Sequence, residues 1–196
     1  NMEMNIAVIP GDGIGPEITT AAIIVLEAIA EKYGHVLNLQ YVKACSQSVE
    51  ESGEPLPKEA LETCLQADAV LLGNTGLEKY KNLPLSKRPE YALLKLRKEL
   101  KVTTNIRPVH VYPELKLLSP LNQNALSKGL DYLFVRDIAG GVLCSDQVKG
   151  EGENGPEAYE YEYYNQKIVE ETAGFAFELA KARKGKVVSL DKANVL

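Results

Sequence analysis

The chain has 196 residues, 45% of them hydrophobic and 25% charged, which supplies a sizeable core and excludes a disordered polymer. Its net charge of -5, with no dense Lys/Arg stretch interleaved with aromatics, argues against nucleic acid as a partner. No apolar run reaches the roughly 18 residues of a membrane span and no signal-peptide pattern precedes the first strand. Cys45, Cys64 and Cys144 are odd in number and widely spaced, so reduced thiols and a cytoplasmic protein with no membrane partner are expected.

Residues 5–9, NIAVI, form an apolar run ended by Pro10 and Gly11, the pattern of a buried strand in a parallel sheet. GDGIGPEI follows. Its alternate glycines allow a tight turn, Pro16 suits a first helical position and Glu17 complements the helix dipole. The helix over 18–33 then turns Ile18, Ala22, Val25 and Ile29 to one face, and Gly34 stops it. The turn either cradles a dinucleotide or simply reverses the backbone. The G-x-G-x-G spacing, and the lack of an acid at the end of a second strand, weaken an ordinary Rossmann reading.

VLNLQYV (36–42) alternates as a second strand, and SQSVEESGEPLP reads as polar connection. Pro57 opens a helix, PKEALETCLQ, which hands over to the apolar strand ADAVLLG. The loop behind it, Gly73-Asn74-Thr75-Gly76, stands at a strand's carboxyl end, where ligands collect in open α/β sheets, or is only a flexible turn. Residues 88–109 read as a basic helix running into a β-branched strand that stops at Arg107, held by Pro108. Guanidinium groups at Arg97 and Arg107 present planar forks of donors, so on adjoining elements they would bind a di- or tricarboxylic acid with orientation. Otherwise they are surface charges.

HVYPELKLLSPL is irregular, and LDYLFVRD is a strand ending in Arg136 and Asp137. The glycine-, acid- and tyrosine-rich stretch from Gly140 to Asn165 reads as an extended loop or arm. Its tyrosines mark a subunit contact or solvent-facing strand positions. Residues 165–184 form an amphipathic helix with Ile168, Thr172, Phe175, Ala176 and Leu179 inward and Gly185 as cap. KVVSL is a last strand, followed by Asp191 and Lys192. The carboxyl ends of successive strands thus carry Gly11-Asp12, Gly73-Asn74, Arg107, Arg136 and Asp191-Lys192, which one crevice could collect. A partly desolvated Lys192 would serve as a base or proton relay. His35 and His110 lie at element boundaries and read as structural.

GDGIGPEI, the loop after AVLLG, RPEYALLKLRKEL, NIRPV, VRDIAGG and SLDKANVL, in this order and over essentially the whole chain, resemble the β-decarboxylating dehydrogenases, most closely the isopropylmalate branch. The resemblance implies an isopropylmalate-dehydrogenase-like α/β fold. It is an open, mostly parallel sheet with flanking helices, here truncated, with a second smaller α/β domain and an arm-like segment. Residues 1–106 would be the first half of the large, cofactor-side domain, and 107–196 part of the substrate and dimerisation domain. It implies oxidation of a 3-alkylmalate by NAD with Mg2+ or Mn2+, loss of carbon dioxide, a place in leucine biosynthesis, and a homodimer. Arg97, Arg107 and Arg136 would bind substrate carboxylates, Lys192 would move protons in the partner subunit's site, and Ile14, Asn74, Thr75 and Glu90 would face the cofactor.

Leu93 and Leu94 suit an isopropyl group, whose burial contributes roughly 1.5–3 kcal/mol, whereas an unpaired carboxylate there is penalised. Isopropylmalate is therefore preferred to isocitrate, homoisocitrate or tartrate. Two departures stand out. The family has a tyrosine two residues after the GG of VR-x-x-x-GG, and this chain has Leu143, with tyrosines 159, 161, 163 and 164 as possible substitutes. The metal-binding aspartates of the family lie beyond Leu196, so no metal ligand is expected in this chain, which would be a truncated enzyme, one part of a split one, or a non-catalytic subunit or assembly module.

Overall fold

The computed structural model describes residues 1–144 and 148–195, apart from the Leu143 side chain. The chain divides into two compact units, Asn1–Lys101 and Val102–Leu196. The division falls ahead of the 106/107 boundary expected from sequence because the strand that begins at Thr104 pairs along its whole length within the second unit.

The first unit holds a three-stranded parallel sheet in the order β2-β1-β3, with β1 at Glu3–Gly11, β2 at Val36–Tyr41 and β3 at Ala69–Asn74. Ile6, Ala7, Val8 and Ile9 of β1 are buried, as a central strand covered on both faces requires. Ala7 and Ile9 join Val42, Leu56, Cys64 and Leu96 in one cluster, while Ile6 and Val8 meet Ile23 in the other. Each larger aliphatic contributes about 1.5–3 kcal/mol on burial, and β1 supplies residues to both clusters.

Helix α1 (Gly15–Tyr33) packs on the sheet through Gly15, Thr19, Ile23 and Ala30. This overturns the expected inward face: Ile18, Val25 and Ile29 are exposed. The helix is apolar over two adjoining faces. Periodicity finds both, but only the close fit of Gly15 against the backbone of Pro10 and Asn74 decides which meets the sheet. The stretch expected to be polar connection contains helix α2 (Cys45–Ser52), whose residues Cys45 and Ser48 are buried. Helices α3 (Lys58–Gln66) and α4 (Tyr91–Glu99) lie where expected.

The second unit is built differently. Strands β4 (Thr104–Val111) and β5 (Leu130–Asp137) form an antiparallel ribbon, so the mostly parallel arrangement holds for the first unit alone. Arg107 is mid-strand rather than at its end, because β4 continues through Pro108 to Val111. A proline that pairs with only one neighbouring strand loses no ladder bond on its open side. Helix α5 (Gln166–Lys181) starts at Asn165, whose Oδ1 accepts from the Ile168 amide at 3.0 Å. Phe175 is exposed, contrary to expectation, while Ile168, Thr172, Ala176 and Leu179 are half-buried.

The expected arm is a hairpin of β6 (Val148–Gly152) and β7 (Gly155–Tyr159), turned by Glu153-Asn154 with Gly155 at φ 104°. KVVSL is not a strand. It finds no ladder partner among the described residues, and Val187, Val188 and Leu190 stay exposed.

Candidate functional site

In the first unit the loops at the carboxyl end of the sheet are locked together. Gly11 stands opposite Asn74 in the ladder at φ 77°, and a β-carbon on it would overlap the Asn74 carbonyl oxygen. Gly15 and Gly73 both press on the Pro10 carbonyl in the same way. Gly11, Gly15 and Gly73 therefore serve backbone packing, which any ligand role would come in addition to. The Asp12 amide donates to the Asn74 carbonyl at 2.7 Å, and the Gly15 amide to the Asp12 carbonyl at 2.8 Å.

Sequence reasoning placed Asp12 at a strand end but gave it no role. Its side chain is only 2% exposed. Oδ1 accepts from the Ser46 amide at 2.9 Å and Oδ2 from the Gly76 amide at 2.7 Å. One carboxylate thereby joins the β1 turn, the first turn of α2 and the loop after β3. The signal available beforehand was an acid inside a glycine turn, shortly after the apolar run Ile6–Ile9.

Around this clasp the structure gathers the expected cofactor residues. Ile14 and Asn74 are exposed and Thr75 is half-buried. Glu90 precedes α4, its carboxylate sits where a Gly76 side chain would be, and its Oε2 is buried with no hydrogen-bond partner among the described residues. Cys45 is fully buried, and its thiol is pushed up to about 12, first by burial and then by the Asp12 and Glu90 carboxylates. Along α4, Glu90, Leu93, Leu94 and Arg97 recur at spacings of three and four and so form one stripe, while Ala92 and Leu96 anchor the opposite side in the core. Arg97 makes no hydrogen bond or ion pair among the described residues.

In the second unit the ladder sets Asn105 opposite Arg136 and Arg107 opposite Phe134. Residues directly opposed on antiparallel strands share a face, so Arg107 and Arg136 are diagonal neighbours on one side of the ribbon, with Tyr132 and Phe134 beside them. The two rings meet edge to face at 5.2 Å. This side is exposed. Arg107 Nε donates to the neutral Asn105 Oδ1 at 2.9 Å, and Arg136 has no partner among the described residues. The strand-end argument thus fails for Arg107 and holds for Arg136, the penultimate residue of β5, and the register unites the two.

The other side of the ribbon packs on α5, where the Thr172 hydroxyl donates to Asp137 Oδ2 at 3.0 Å. Asp137 Oδ1 accepts from the amides of Ala139 and Gly140, at 2.9 and 2.8 Å, and so fixes the turn into Gly140-Gly141. The Tyr164 ring lies against Gly140, and its hydroxyl is 2.7 Å from the place a Gly141 β-carbon would take. Of the tyrosines in this stretch, Tyr164 is the one the fold brings to the GG turn with its hydroxyl. The Leu143 side chain lies outside the described residues. Lys192 is exposed, and neighbouring Asp191 accepts from the Ala193 amide at 3.0 Å.

Residues 5–196 match the family model for isocitrate/isopropylmalate dehydrogenase. The chain belongs to that family.

Among curated members, 3-isopropylmalate dehydrogenase of Clostridium pasteurianum is 45% identical over 99% of this chain and 54% of its own length. The Thermotoga maritima 3-isopropylmalate dehydrogenase is 43% identical over 98% and 54%. Among solved structures, the apo β-decarboxylating dehydrogenase of Thermococcus kodakarensis aligns with a TM-score of 0.70 at 30% identity, over 98% of this chain and 50% of that one. The chain spans about half the length of the curated relatives it matches. Isocitrate dehydrogenase from Methylococcus capsulatus, at 22% identity and a TM-score of 0.67, shares the fold.

Proposed function

We propose that this chain carries the arginine-bearing and nicotinamide-facing part of a site that oxidatively decarboxylates 3-isopropylmalate with NAD, as in leucine biosynthesis. The observation that carries the reading is the pairing of Arg107 and Arg136 on one open face, neither ion-paired with an acid among the described residues, in a chain of this family. Two guanidinium forks on adjacent strands suit two carboxylates of one small acid. Arg97 is the third carboxylate ligand in this reading. Leu93 and Leu94 select a branched alkyl group over the additional carboxylate of isocitrate, since a carboxylate buried against leucine lacks a partner.

The residues present fit the nicotinamide side of NAD in part. Glu90 offers a buried carboxylate oxygen without a donor among the described residues, near the exposed Ile14 and Asn74 and the half-buried Thr75. NAD, when bound, supplies the hydride acceptor. The residues present do not by themselves fit the Mg2+ or Mn2+ of the reaction: among the described residues no three His, Cys, Asp or Glu side chains gather to hold an ion.

This chain's own groups do the rest. The arginines bind and orient the diacid, Glu90 orients the nicotinamide ribose, and Lys192 moves a proton in the site of a second subunit of a homodimer. Tyr164 offers a phenol at the turn where Leu143 has removed one. The β6–β7 hairpin, with Tyr159, Tyr161 and Tyr163 exposed around it, serves as the dimer arm. Three unpaired cysteines accord with a cytoplasmic setting.

The test is an NMR titration of the chain with 3-isopropylmalate, followed by an assay of NADH formation with Mn2+ and the C-terminal half of a relative supplied in trans. Binding should perturb Arg107 and Arg136, and turnover should need the added half. Absence of diacid binding at these arginines defeats the proposal. A non-catalytic assembly role, which Leu143 favours, would instead show dimerisation or partner binding without metal-dependent diacid binding.

A further inference from the structure

We propose that Asp12 is a positioning residue for the dinucleotide, acting through the loop Asn74-Thr75-Gly76 and Glu90 rather than by touching the ligand. The inference rests on the cofactor reading above. Asp12 is almost fully buried, and each of its two oxygens accepts a single backbone amide, from Ser46 at 2.9 Å and Gly76 at 2.7 Å. Its own amide holds the Asn74 carbonyl at 2.7 Å.

Three separate segments are therefore referenced to one side chain. Gly76 sits at φ 99° with the Glu90 carboxylate filling the space a side chain would take, so displacement of Gly76 displaces Glu90. Ile14 lies two residues from Asp12 in the same turn, directly before Gly15, which closely approaches the Asn74 backbone. A carboxylate is the one side chain of this length that can accept at both ends. Asparagine has the same shape, but its amide nitrogen is a donor and would face a backbone N–H. Asp12→Asn therefore keeps the volume, breaks one of the two attachments and frees either α2 or the cofactor loop.

The experiment is a pair of NMR titrations of the full chain and of Asp12→Asn, one with NADH followed at Asn74, Thr75 and Gly76, one with 3-isopropylmalate followed at Arg107 and Arg136. Amide hydrogen exchange at Ser46 and Gly76 is recorded on the same samples. Asp12→Asn should weaken NADH about tenfold, leave the diacid affinity unchanged, and lose exchange protection at Ser46 or Gly76. General structural damage would weaken both ligands together. A wild-type chain that binds NADH with Asp12→Asn binding it equally well overturns this proposal alone, as does an equal loss for both ligands. A wild-type chain that shows no NADH response at this loop overturns the cofactor reading and the proposal with it.

Discussion

Removing the Asp12 carboxylate outright should be among the most destabilising single changes in the first unit. In Asp12→Ala the Ser46 and Gly76 amides lose acceptors at 2.9 and 2.7 Å inside a region where Asp12 itself is 2% exposed. A hydrogen bond to a charged group contributes about 1.5–3 kcal/mol net, and a buried amide left without a partner is penalised by a similar amount. Both bonds run through one carboxylate and water enters part of the space, so the losses do not add fully. A net effect of about 2–4 kcal/mol follows. The chain has no tryptophan, so urea unfolding is best read by far-UV circular dichroism. With a slope near 2 kcal/mol per molar, the midpoint of the first unit should fall by roughly 1–2 M. A shift under about 0.3 M, with Ser46 and Gly76 as protected from exchange as in the wild type, would refute the reasoning.

Five further outcomes are expected. Arg136→Ala should weaken 3-isopropylmalate about tenfold to a hundredfold and Arg136→Lys about tenfold, since lysine keeps the charge but not the fork. Calorimetric equality of Arg136→Lys with the wild type would remove bidentate binding from the picture. In the assembled enzyme Tyr164→Phe should slow NADH formation at least tenfold, and Leu143→Tyr should restore it; wild-type turnover in Tyr164→Phe would exclude the phenol.

Cys45 holds its proton in the fold to about 12, so above an unfolded value near 9.0 unfolding releases a proton and stability falls as pH rises towards 12. Cys45→Ser should flatten that alkaline limb in pH-dependent melts. At neutral pH a maleimide should label exposed Cys144 well before buried Cys45 and Cys64. The hydrogen bond from Arg183 holds the Asp131 carboxyl below its usual range, and Lys184 adds to it. That contribution is present above the ordinary carboxylate range and is lost as pH falls through the depressed value, so Asp131→Asn should flatten the acid limb of stability. An unchanged acid limb would show that the pairing is energetically silent.

The predicted elements that came out right share one property: their signal is local. The apolar run of β1, the Pro57 start of α3 and the Leu130–Asp137 strand are each dictated by their own residues. The misses are positions where two local solutions were equally good or where a partner was required. The face of α1 depended on Gly15 meeting Pro10 and Asn74, and KVVSL needed a neighbouring strand to become one. The β6–β7 hairpin had a readable cue in Asn154-Gly155, which the surrounding acids and tyrosines obscured.

For the site, the sequence by itself determined the chemistry on offer: arginines for carboxylates, leucines for an alkyl group, a glycine turn ahead of a helix, and the ordered motifs that mark the family. Only the tertiary structure decided which of these groups are neighbours. It set Arg107 beside Arg136 through antiparallel register rather than through strand ends, brought Tyr164 to the GG turn, and showed Asp12 as the clasp of three segments. The physical reason is that a residue's type fixes what it can bind, whereas register and loop closure, which depend on residues up to 64 positions apart, fix what it faces.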